Sequence, residues 1–373
     1  MNDDTVTLTA SCLCRSQVHS ATVPKSSLPL QAHICHCNTC RHLTGSLHTS
    51  LAFWRSPRST VDLSNFQTFS FSPAFEMLFC PTCSSPIFGA FTDKTRPLGV
   101  VTGALDNIAT EPEVVRWNDM GFVADTLDGG ASLWLRNVNV SGPALKCFQY
   151  ERRGDNAKEV PEEWYTQQHT IQSTTERNAA VSIRCKCHGV HFLLRRGDYE
   201  NMSADDLPWN VDPDSRKLKA ELCGCDSCRL QNGTDVFYWT FAEMKNISFA
   251  GDNDEAGFPL HMDDLTTLVD QRDPRIGSLT YYQSSARVHR YFCRDCSATI
   301  FYANSNRPRI IDIAVGVLEA KEGARAEGML AWSFGTGVGT KEDANGGWRQ
   351  GVFERIAKAV EEYGKKQDSM EQD

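Results

Sequence analysis

The sequence predicts a mainly β protein built from two tandem cysteine-rich domains and a C-terminal α-helix. Fourteen of the fifteen cysteines fall into six clusters, and the same three cluster types occur in the same order in each half of the chain. Short runs rich in β-branched and aromatic residues flank these clusters, as is typical of strands. The one long amphipathic pattern, with Val352, Ile356, Val360 and Tyr363 on one face, lies near the end of the chain.

Length and charge limit the class of protein. The 373 residues predict about two domains at roughly 100 to 200 residues each. The net charge of -9 repels a phosphate backbone, so we expect no nucleic-acid partner. Residues 1–10 lack the basic start and apolar run of a signal peptide, and the apolar stretch at 310–318 is about half a membrane span. We therefore expect a cytoplasmic protein without membrane association.

Composition sets the domain boundaries. A polar segment with few apolar anchors follows residue 150, and we interpret it as an interdomain linker. The predicted units are a first domain at 1–150, a linker at 151–178, a second domain at 179–345, a helix at 346–366 and a disordered tail at 367–373.

Strands are predicted on both sides of each cysteine cluster. In the first half they lie at 5–10, 18–23, 32–34, 47–54, 87–91 and 98–102, and in the second at 180–184, 191–195, 217–222, 236–241, 279–283, 286–292, 299–303 and 310–317. The second half has longer spacings between its clusters. Its added segments, around 199–216 and 251–277, are rich in Asp, Pro and Asn, which predicts surface loops.

The first and third clusters of each half predict a structural metal site. Two cysteines separated by one or two residues present both sulfurs from one turn, and two such turns complete a tetrahedral four-thiolate zinc site. The two sets are Cys12, Cys14, Cys80 and Cys83, and Cys185, Cys187, Cys293 and Cys296. Disulfides or free thiols are the alternatives, but an ordinary globular composition in a reducing compartment favours metal.

The middle clusters, Cys35/Cys37/Cys40 and Cys223/Cys225/Cys228, each offer three sulfurs. Zinc with three protein ligands keeps one position for water or substrate, which is the usual arrangement of a catalytic zinc. A substrate thiol could bind there as thiolate. Closure by a fourth protein ligand such as His36, or a redox-active Cys-x-x-Cys, are the alternatives. The sequence thus predicts up to four Zn²⁺ ions per chain.

Polar residues beside the middle clusters are tentative catalytic residues. His36 lies between two cysteines and His42 lies two residues after Cys40, so either could carry a proton. Arg41 and Arg229 follow the last cysteine of their clusters and could bind a substrate carboxylate. Alternatively, each arginine only braces its turn by donating to backbone carbonyls.

These motifs resemble the glutathione-dependent formaldehyde-activating (GFA) family, which includes centromere protein V. The residues that carry the resemblance are Ser11 to Cys14, Cys35 to Arg41 with Thr44-Gly45-Ser46, Phe79 to Cys83, Cys185 to Val190, Cys223 to Arg229 and Phe292 to Cys296. The resemblance implies a mainly β fold of small sheets, here two tandem zinc-binding domains of small antiparallel sheets. It also implies a structural zinc from the first and third clusters and a second zinc in the middle cluster of each domain.

The resemblance further implies carbon-sulfur lyase or glutathione-adduct chemistry, in which glutathione and formaldehyde form S-hydroxymethylglutathione. Two departures stand out. Glycines common in the family are replaced by Arg15 and His188 after Cys-x-Cys, and by Ser84 and Ser297 after the third cluster. The second copy also has Gly224 where the first has His36, so we expect the first copy to be the catalytic one.

The predicted function is therefore a zinc lyase that acts on glutathione or another thiol adduct at Cys35, Cys37 and Cys40, with tentative roles for Arg41 and His36. Two alternatives from other classes remain. One is a noncatalytic zinc scaffold or thiol-binding module, and the other is a tailoring enzyme of small-molecule biosynthesis that uses the zinc as a Lewis acid. Zinc content and thiol release would separate these possibilities.

Overall fold

The computed structural model describes residues 4–111, 113–161, 164–165, 179–251, 257–336 and 338–370. The first half contains β1 (Thr5–Ser11), β2 (Val18–Pro24), β3 (Leu30–Cys35), α1 (Asn38–Thr44), β4 (Thr49–Phe53), β5 (Gln67–Ser72), β6 (Phe75–Phe79), β7 (Pro86–Phe91), β8 (Gly99–Val101), β9 (Val115–Gly121), α2 (Ser132–Leu135) and β10 (Lys146–Cys147).

The second half and the C-terminus contain β11 (Val181–Arg184), β12 (His191–Leu194), β13 (Leu218–Cys223), α3 (Asp226–Asn232), β14 (Phe237–Glu243), β15 (Ile247–Phe249), α4 (Met262–Asp270), β16 (Leu279–Ser285), β17 (Val288–Cys293), β18 (Thr299–Asn304), β19 (Ile310–Ala314), β20 (Leu318–Glu319), β21 (Leu330–Trp332), β22 (Val338–Gly339) and α5 (Arg349–Met370).

The mainly β prediction is confirmed, although the main sheets are larger than predicted. In the first half, β1 pairs with β2, and the other strands form an eight-stranded sheet in the order β10-β9-β3-β4-β8-β7-β6-β5. This sheet is mixed rather than purely antiparallel, because β9 returns from β8 to lie parallel to β3. The parallel pair brings residues of β9 beside the end of β3, where the middle cysteine cluster begins.

The second half repeats this arrangement of strands. Its main sheet has the order β16-β17-β18-β19-β14-β13-β21, with β22 also paired to β13, and β21 and β22 run parallel to β13 as β9 runs parallel to β3. A smaller sheet in the order β15-β12-β11-β20 takes the place of the β1-β2 hairpin. Corresponding residues in the two halves can therefore be identified from strand register.

The two halves contact each other through reciprocal glycines. Gly45 ends α1, and its carbonyl accepts a hydrogen bond from the amide of Gly316 at 2.8 Å. Gly233 ends α3, and its carbonyl accepts one from Gly103 at 3.1 Å. A Cβ on Gly316 would lie 2.1 Å from the carbonyl oxygen of Ser46. A side chain there would push the halves apart, so the close backbone approach requires glycine.

Helix α5 joins the halves further. Arg349, in its first turn, donates from Nε to Asp235 at 2.8 Å and from Nη2 to the carbonyl of Thr102 in the first half. The ring of Tyr363 packs 6.1 Å from that of Trp134, which itself lies 6.0 Å from Tyr238. The buried apolar residues of both halves and of α5 therefore form one continuous core.

Three segment predictions need correction or refinement. Residues 367–370, predicted to be disordered, continue α5 because no Pro or Gly after Gly364 ends it; residues 371–373 lie outside the described residues. The predicted loop at 251–277 contains α4, although residues 252–256 are not described. In the predicted linker, the amide of Val160 donates to the carbonyl of Cys147 at 2.8 Å, so the described residues 151–161 pack on the first half.

Among the described residues, no helix is long and apolar enough to cross a membrane.

Candidate metal centres and active-site groove

The two four-cysteine sets come together as predicted. In each set the four sulfurs lie within 4.8 Å of one another. The Cys12–Cys14 and Cys14–Cys80 sulfur distances are 3.5 and 3.6 Å, and those of Cys185–Cys187 and Cys187–Cys293 are 3.5 and 3.4 Å. A Zn–S bond of about 2.3 Å places tetrahedral sulfurs about 3.8 Å apart, whereas a disulfide needs about 2.0 Å. The donor sets therefore fit tetrahedral zinc, and all fifteen cysteines are free thiols.

The four residues that replace glycines of the family pattern all lie in the turns that carry these cysteines. Each turn has one residue in the left-handed region, where glycine is the least strained choice. The residues concerned are Arg15 (φ 61°), Ser84 (φ 62°), His188 (φ 63°) and Ser297 (φ 66°). These four residues adopt the backbone conformation that glycine favours, so the cysteine-bearing turns keep their shape without glycine.

The two three-cysteine clusters also form, each with its sulfurs within 4.8 Å. Cys35 ends β3, while Cys37 caps α1 by accepting a hydrogen bond from the amide of Cys40 at 3.3 Å. Cys225 accepts from the amide of Cys228 at 3.4 Å in the same way. The strand end, the cap and the first helical turn thus converge three thiols, as a three-ligand metal site requires.

An acidic residue supports the same turn in each half. Asp125 accepts a hydrogen bond from the amide of Asn38 at 3.0 Å, and Asp343 accepts one from the amide of Asp226 at 2.8 Å. Each carboxylate satisfies an amide that the first turn of a helix leaves unpaired. Both clusters are therefore held by equivalent backbone and side-chain contacts.

A groove of about 120 Å³ opens beside Cys35 in the first half. It is lined by His33, Cys35, Thr49, Leu51, Ala52, Phe53, Phe75, Phe91, Gly99 and Arg152. Most of its wall is apolar, and the polar groups lie near the thiol. Such a concave, mainly apolar surface with a few convergent polar groups is typical of a small-molecule site.

Sequence reasoning missed two polar residues of this groove, His33 and Arg152, and the Asp119 carboxylate that contacts both. His33 Nδ1 lies 2.9 Å from the Asp119 carboxylate, and Arg152 Nη1 lies 3.4 Å from the same carboxylate. Alternation along β3 places His33 on the same face as Cys35, and this signal was available in the sequence. Asp119 and Arg152 reach the site through the β3–β9 pairing and the packed 151–161 segment, which the sequence pattern did not reveal.

Side chains contact two of the three sulfurs of the second three-cysteine cluster. The indole Nε1 of Trp239 donates to the Cys228 sulfur at 3.4 Å, and Arg290 Nη1 lies 4.0 Å from it. The Thr340 hydroxyl lies 3.1 Å from the Cys223 sulfur. Cys223 and Cys225 are partly exposed, as Cys35 and Cys37 are, so the two clusters differ in the side chains beside their sulfurs rather than in burial.

Strand register shows which residues of the second half correspond to the groove residues of the first half. Leu51 pairs with Val101 in the first sheet, and Trp239 pairs with Ala314 at the same place in the second. Likewise Gly89 pairs with Gly99, whereas Tyr302 pairs with Asp312. Larger residues therefore replace the leucine and the two glycines, and the Trp239 and Tyr302 rings lie 6.2 Å apart.

A comparison with models of known protein families gave a match in the first half of the chain. Residues 7–119 match the family model described as glutathione-dependent formaldehyde-activating enzyme. We refer to this matched region of the first half as the GFA domain. No curated protein sequence matches the chain. The matched residues contain all seven cysteines of the first-half clusters and extend into β9, and the match supports a zinc-binding, glutathione-related activity in general.

The structure argues against a catalytic His36 in the GFA domain. His36 is fully buried, its ring lies 5.9 Å from that of His48, and neither of its ring nitrogens has a hydrogen-bond partner among the described residues. Burial lowers the pKa of His36 to about 3, so the ring is neutral. Because His36 lies between Cys35 and Cys37 on an alternating backbone, its side chain enters the core when theirs converge. His42 is also buried, with Nδ1 2.6 Å from the carbonyl of Arg184.

Arg41 and Arg229 differ despite their matching positions. Arg229 Nε pairs with Asp226 at 2.6 Å, and its Nη1 donates to the carbonyls of Gly103 and Leu105. Arg229 therefore donates to backbone carbonyls, but these belong to the first half rather than to its own turn. Arg41 donates from Nη2 to Asn38 at 2.6 Å, and it lines a cavity between the halves rather than the groove beside Cys35.

Charge is distributed differently in the two clusters. Hydrogen bonds from the Cys35 and Cys40 thiols lower the pKa of Cys37 to about 3. In the second cluster, hydrogen bonds from the Cys223 and Cys225 thiols lower the pKa of Cys228. Each cluster therefore favours a thiolate, the form that binds metal, but at a different cysteine.

Proposed function

We propose that the GFA domain is a zinc-dependent carbon-sulfur lyase acting on glutathione or other thiol adducts, with its catalytic centre at Cys35, Cys37 and Cys40. The groove that reaches Cys35 carries this proposal, because it gives a small molecule access to the cluster. The family match supports glutathione-related chemistry. The three-thiol donor set supports a metal with room for a substrate atom.

Zinc fits the thiols of all four clusters, and we propose up to four ions per chain. The four-cysteine sets would hold structural ions, whereas the three-cysteine sets would each leave one coordination position for another ligand. A zinc ion bound to Cys35, Cys37 and Cys40 would favour the thiolate form of a substrate sulfur. The remaining chemistry belongs to the residues of the groove.

The groove residues position an S-hydroxymethyl thiol for cleavage. When the carbon-sulfur bond breaks, its electron pair goes to sulfur, the hydroxyl proton leaves and the carbon becomes the carbonyl of formaldehyde. His33 donates from Nδ1 to Asp119, which leaves Nε2 as the nitrogen that can accept a hydrogen bond from the substrate hydroxyl. Leu51 and Phe75 exclude water from the reacting atoms.

Arg152 offers a positive charge at the edge of the groove. Its guanidinium contacts Asp119 at 3.4 Å and is about one-third exposed, so it can also attract a carboxylate of the substrate. We therefore assign substrate carboxylate recognition to Arg152 rather than to Arg41, which lines a different cavity.

We propose further that the second half, residues 179–345, is a second copy of the domain in the first half, residues 1–150. Three features support this division. The halves share the order of their main strands and the glycine contacts, and each has one four-cysteine set and one three-cysteine set. Beside its middle centre, Trp239 and Tyr302 stand where the groove of the first half has Leu51 and Gly89, so we propose that this centre lacks a substrate groove and does not turn over substrate.

Thiol release from S-hydroxymethylglutathione tests the lyase proposal. The spontaneous rate is subtracted, and wild-type protein is compared with Cys37→Ala and with the matched Cys225→Ala. We expect the Cys37→Ala rate to fall to the spontaneous rate and the Cys225→Ala rate to stay near that of wild type. Equal rates for wild type and Cys37→Ala would reject lyase activity on this substrate, and retained binding of the adduct would then favour the thiol-binding module.

A further inference from the structure

A cavity of about 340 Å³ lies between the two halves, beside α1. Asn38, Arg41 and His42 line it from the first half, and Lys186, His188 and Glu319 line it from the second. None of the cysteines of the first three-cysteine cluster lines it. Asn38 and Thr39 lie between Cys37 and Cys40, so the cavity adjoins the proposed catalytic centre, but the thiols of that centre do not line it.

Arg41 is a buried cation at this cavity that forms no direct ion pair among the described residues, although Asp128, Asp125, Cys37 and Glu319 are near enough for their charges to act on it. The residue is only 5% exposed, and one hydrogen bond, from Nη2 to the neutral amide of Asn38, is its only side-chain hydrogen bond within the described part of the chain. Its Nε and Nη1 atoms have no partner there, and it forms no ion pair within the described ranges. Burying an unpaired charge is costly, so a site of this kind favours an anion.

The corresponding arginine of the second half has an ion-pair partner that Arg41 lacks. Arg229 corresponds to Arg41, but the residue three positions before it is Asp226, which forms an ion pair with it at 2.6 Å. In the first half that position is Asn38, which carries no charge. The charge that Asp226 supplies to Arg229 is thus absent at Arg41.

The corresponding space in the second half is also filled. Asn107, four residues after Gly103, donates from Nδ2 to the carbonyls of Asp343 and Ala344. Ala320, four residues after Gly316, holds the same place at the first-half cavity and has no side chain that can reach across. The cavity therefore exists where Ala320 takes the place of Asn107 and the neutral Asn38 takes the place of Asp226.

We propose that this interdomain cavity binds a small molecule through an anionic group, a carboxylate or a phosphate, whose charge compensates Arg41. Lys186 adds a second positive charge to the lining. Of the carboxylates whose charges act on Arg41, Asp128 is already paired with Arg325 at 3.8 Å and Glu319 with Arg184 at 2.6 Å, while Asp125 accepts a hydrogen bond from the amide of Asn38. The anion would contact both halves, so its binding would strengthen their association.

Anion-dependent stability tests this site without reference to lyase activity. The melting temperature and the heat of binding are measured in a buffer without other multivalent anions, with inorganic phosphate and with succinate as separate probes. Wild type is compared with Asn38→Asp, which supplies the missing counterion, and with Ala320→Asn, which fills the cavity. Asp226→Asn is the matched control in the second half.

We expect at least one probe to raise the wild-type melting temperature with a saturable heat of binding, and its identity distinguishes phosphate from carboxylate recognition. Asn38→Asp and Ala320→Asn should each weaken that binding at least about tenfold, whereas Asp226→Asn should keep the wild-type affinity. Asn38→Asp should also be the more stable protein without anion. The proposal is overturned if neither probe binds, or if Asn38→Asp binds the probe as tightly as wild type.

Discussion

The two three-cysteine centres share a backbone but differ in what lies above it. Both combine a strand end, a cysteine cap and the first turn of a seven-residue helix, and both have an aspartate on the helix amide. Over the first lies a groove with Leu51, and over the second lies Trp239 with its indole on Cys228. Access to a metal centre is thus decided by side chains on neighbouring strands, while the ligands stay the same.

This difference distinguishes two roles that a cysteine cluster can have, metal binding and catalysis. A centre that loses its groove can still hold a metal and stabilise the turn that contains it. In the second half, the Cys228 sulfur also accepts a hydrogen bond from Trp239 and the Cys223 sulfur shares one with the Thr340 hydroxyl, so these two sulfurs have protein partners without a substrate. Cysteine spacing alone therefore predicts metal binding better than it predicts catalysis.

The largest effect should come from the four-cysteine sets, in which the two halves are alike. Cys83→Ser and Cys296→Ser should each lose one zinc per chain and several kcal/mol of unfolding free energy, because structural zinc contributes on the order of 10 kcal/mol in small domains. Zinc analysis and chemical denaturation measure this. Cys147→Ser, outside every cluster, is the control and should keep the wild-type zinc content. Unchanged zinc in Cys83→Ser would contradict the structural assignment.

A smaller effect should come from exchanging the residues above the middle centres. Leu51→Trp copies the second half into the groove, and we expect kcat/KM for S-hydroxymethylglutathione to fall at least about tenfold, or about 1.4 kcal/mol. The matched Trp239→Leu should leave the rate unchanged within twofold, since the first centre is untouched. Zinc content shows whether each variant is folded. Wild-type activity in Leu51→Trp would mean that the groove is not the substrate site.

The sequence predicted the ligand sets because cysteine spacing is local. Cys12 and Cys14 share one turn, and so do Cys80 and Cys83, so their chemistry follows from a few adjacent residues. Asp119 is 86 residues from His33 and meets it only because β9 lies parallel to β3. A strand pairing of this length depends on the whole sheet, and no short pattern encodes it.

The environment of the tentative catalytic residues was hidden for a similar reason. Arg41 and Arg229 follow matching cysteines, yet the neutral Asn38 and the charged Asp226 give them different contacts. The sequence contained that difference, but its meaning depended on the cavity formed between the halves. The burial of His36 likewise depends on His48 and on packing across both halves.

The smallest effect concerns pH and one buried residue of the first half. His48 lies three residues after Gly45, and Val236 lies three residues after Gly233, so His48→Val copies the second half. Burial lowers the pKa of His48 from 6.5 to about 3. Between these values the unfolded chain binds a proton that the folded chain does not. The stability that His48 contributes is therefore fully present above pH 6.5 and is lost as the pH falls towards 3.

Between pH 6.5 and pH 5, wild type should lose about 1.5 kcal/mol more unfolding free energy than His48→Val does. Protonation of the cysteine clusters and of His36 occurs in both proteins, so the difference between them isolates His48. Chemical denaturation at the two pH values, with zinc present throughout, measures it. Equal losses would show that His48 is reached by water or protonated in the folded chain, and the core between the halves would then be more open than its burial indicates.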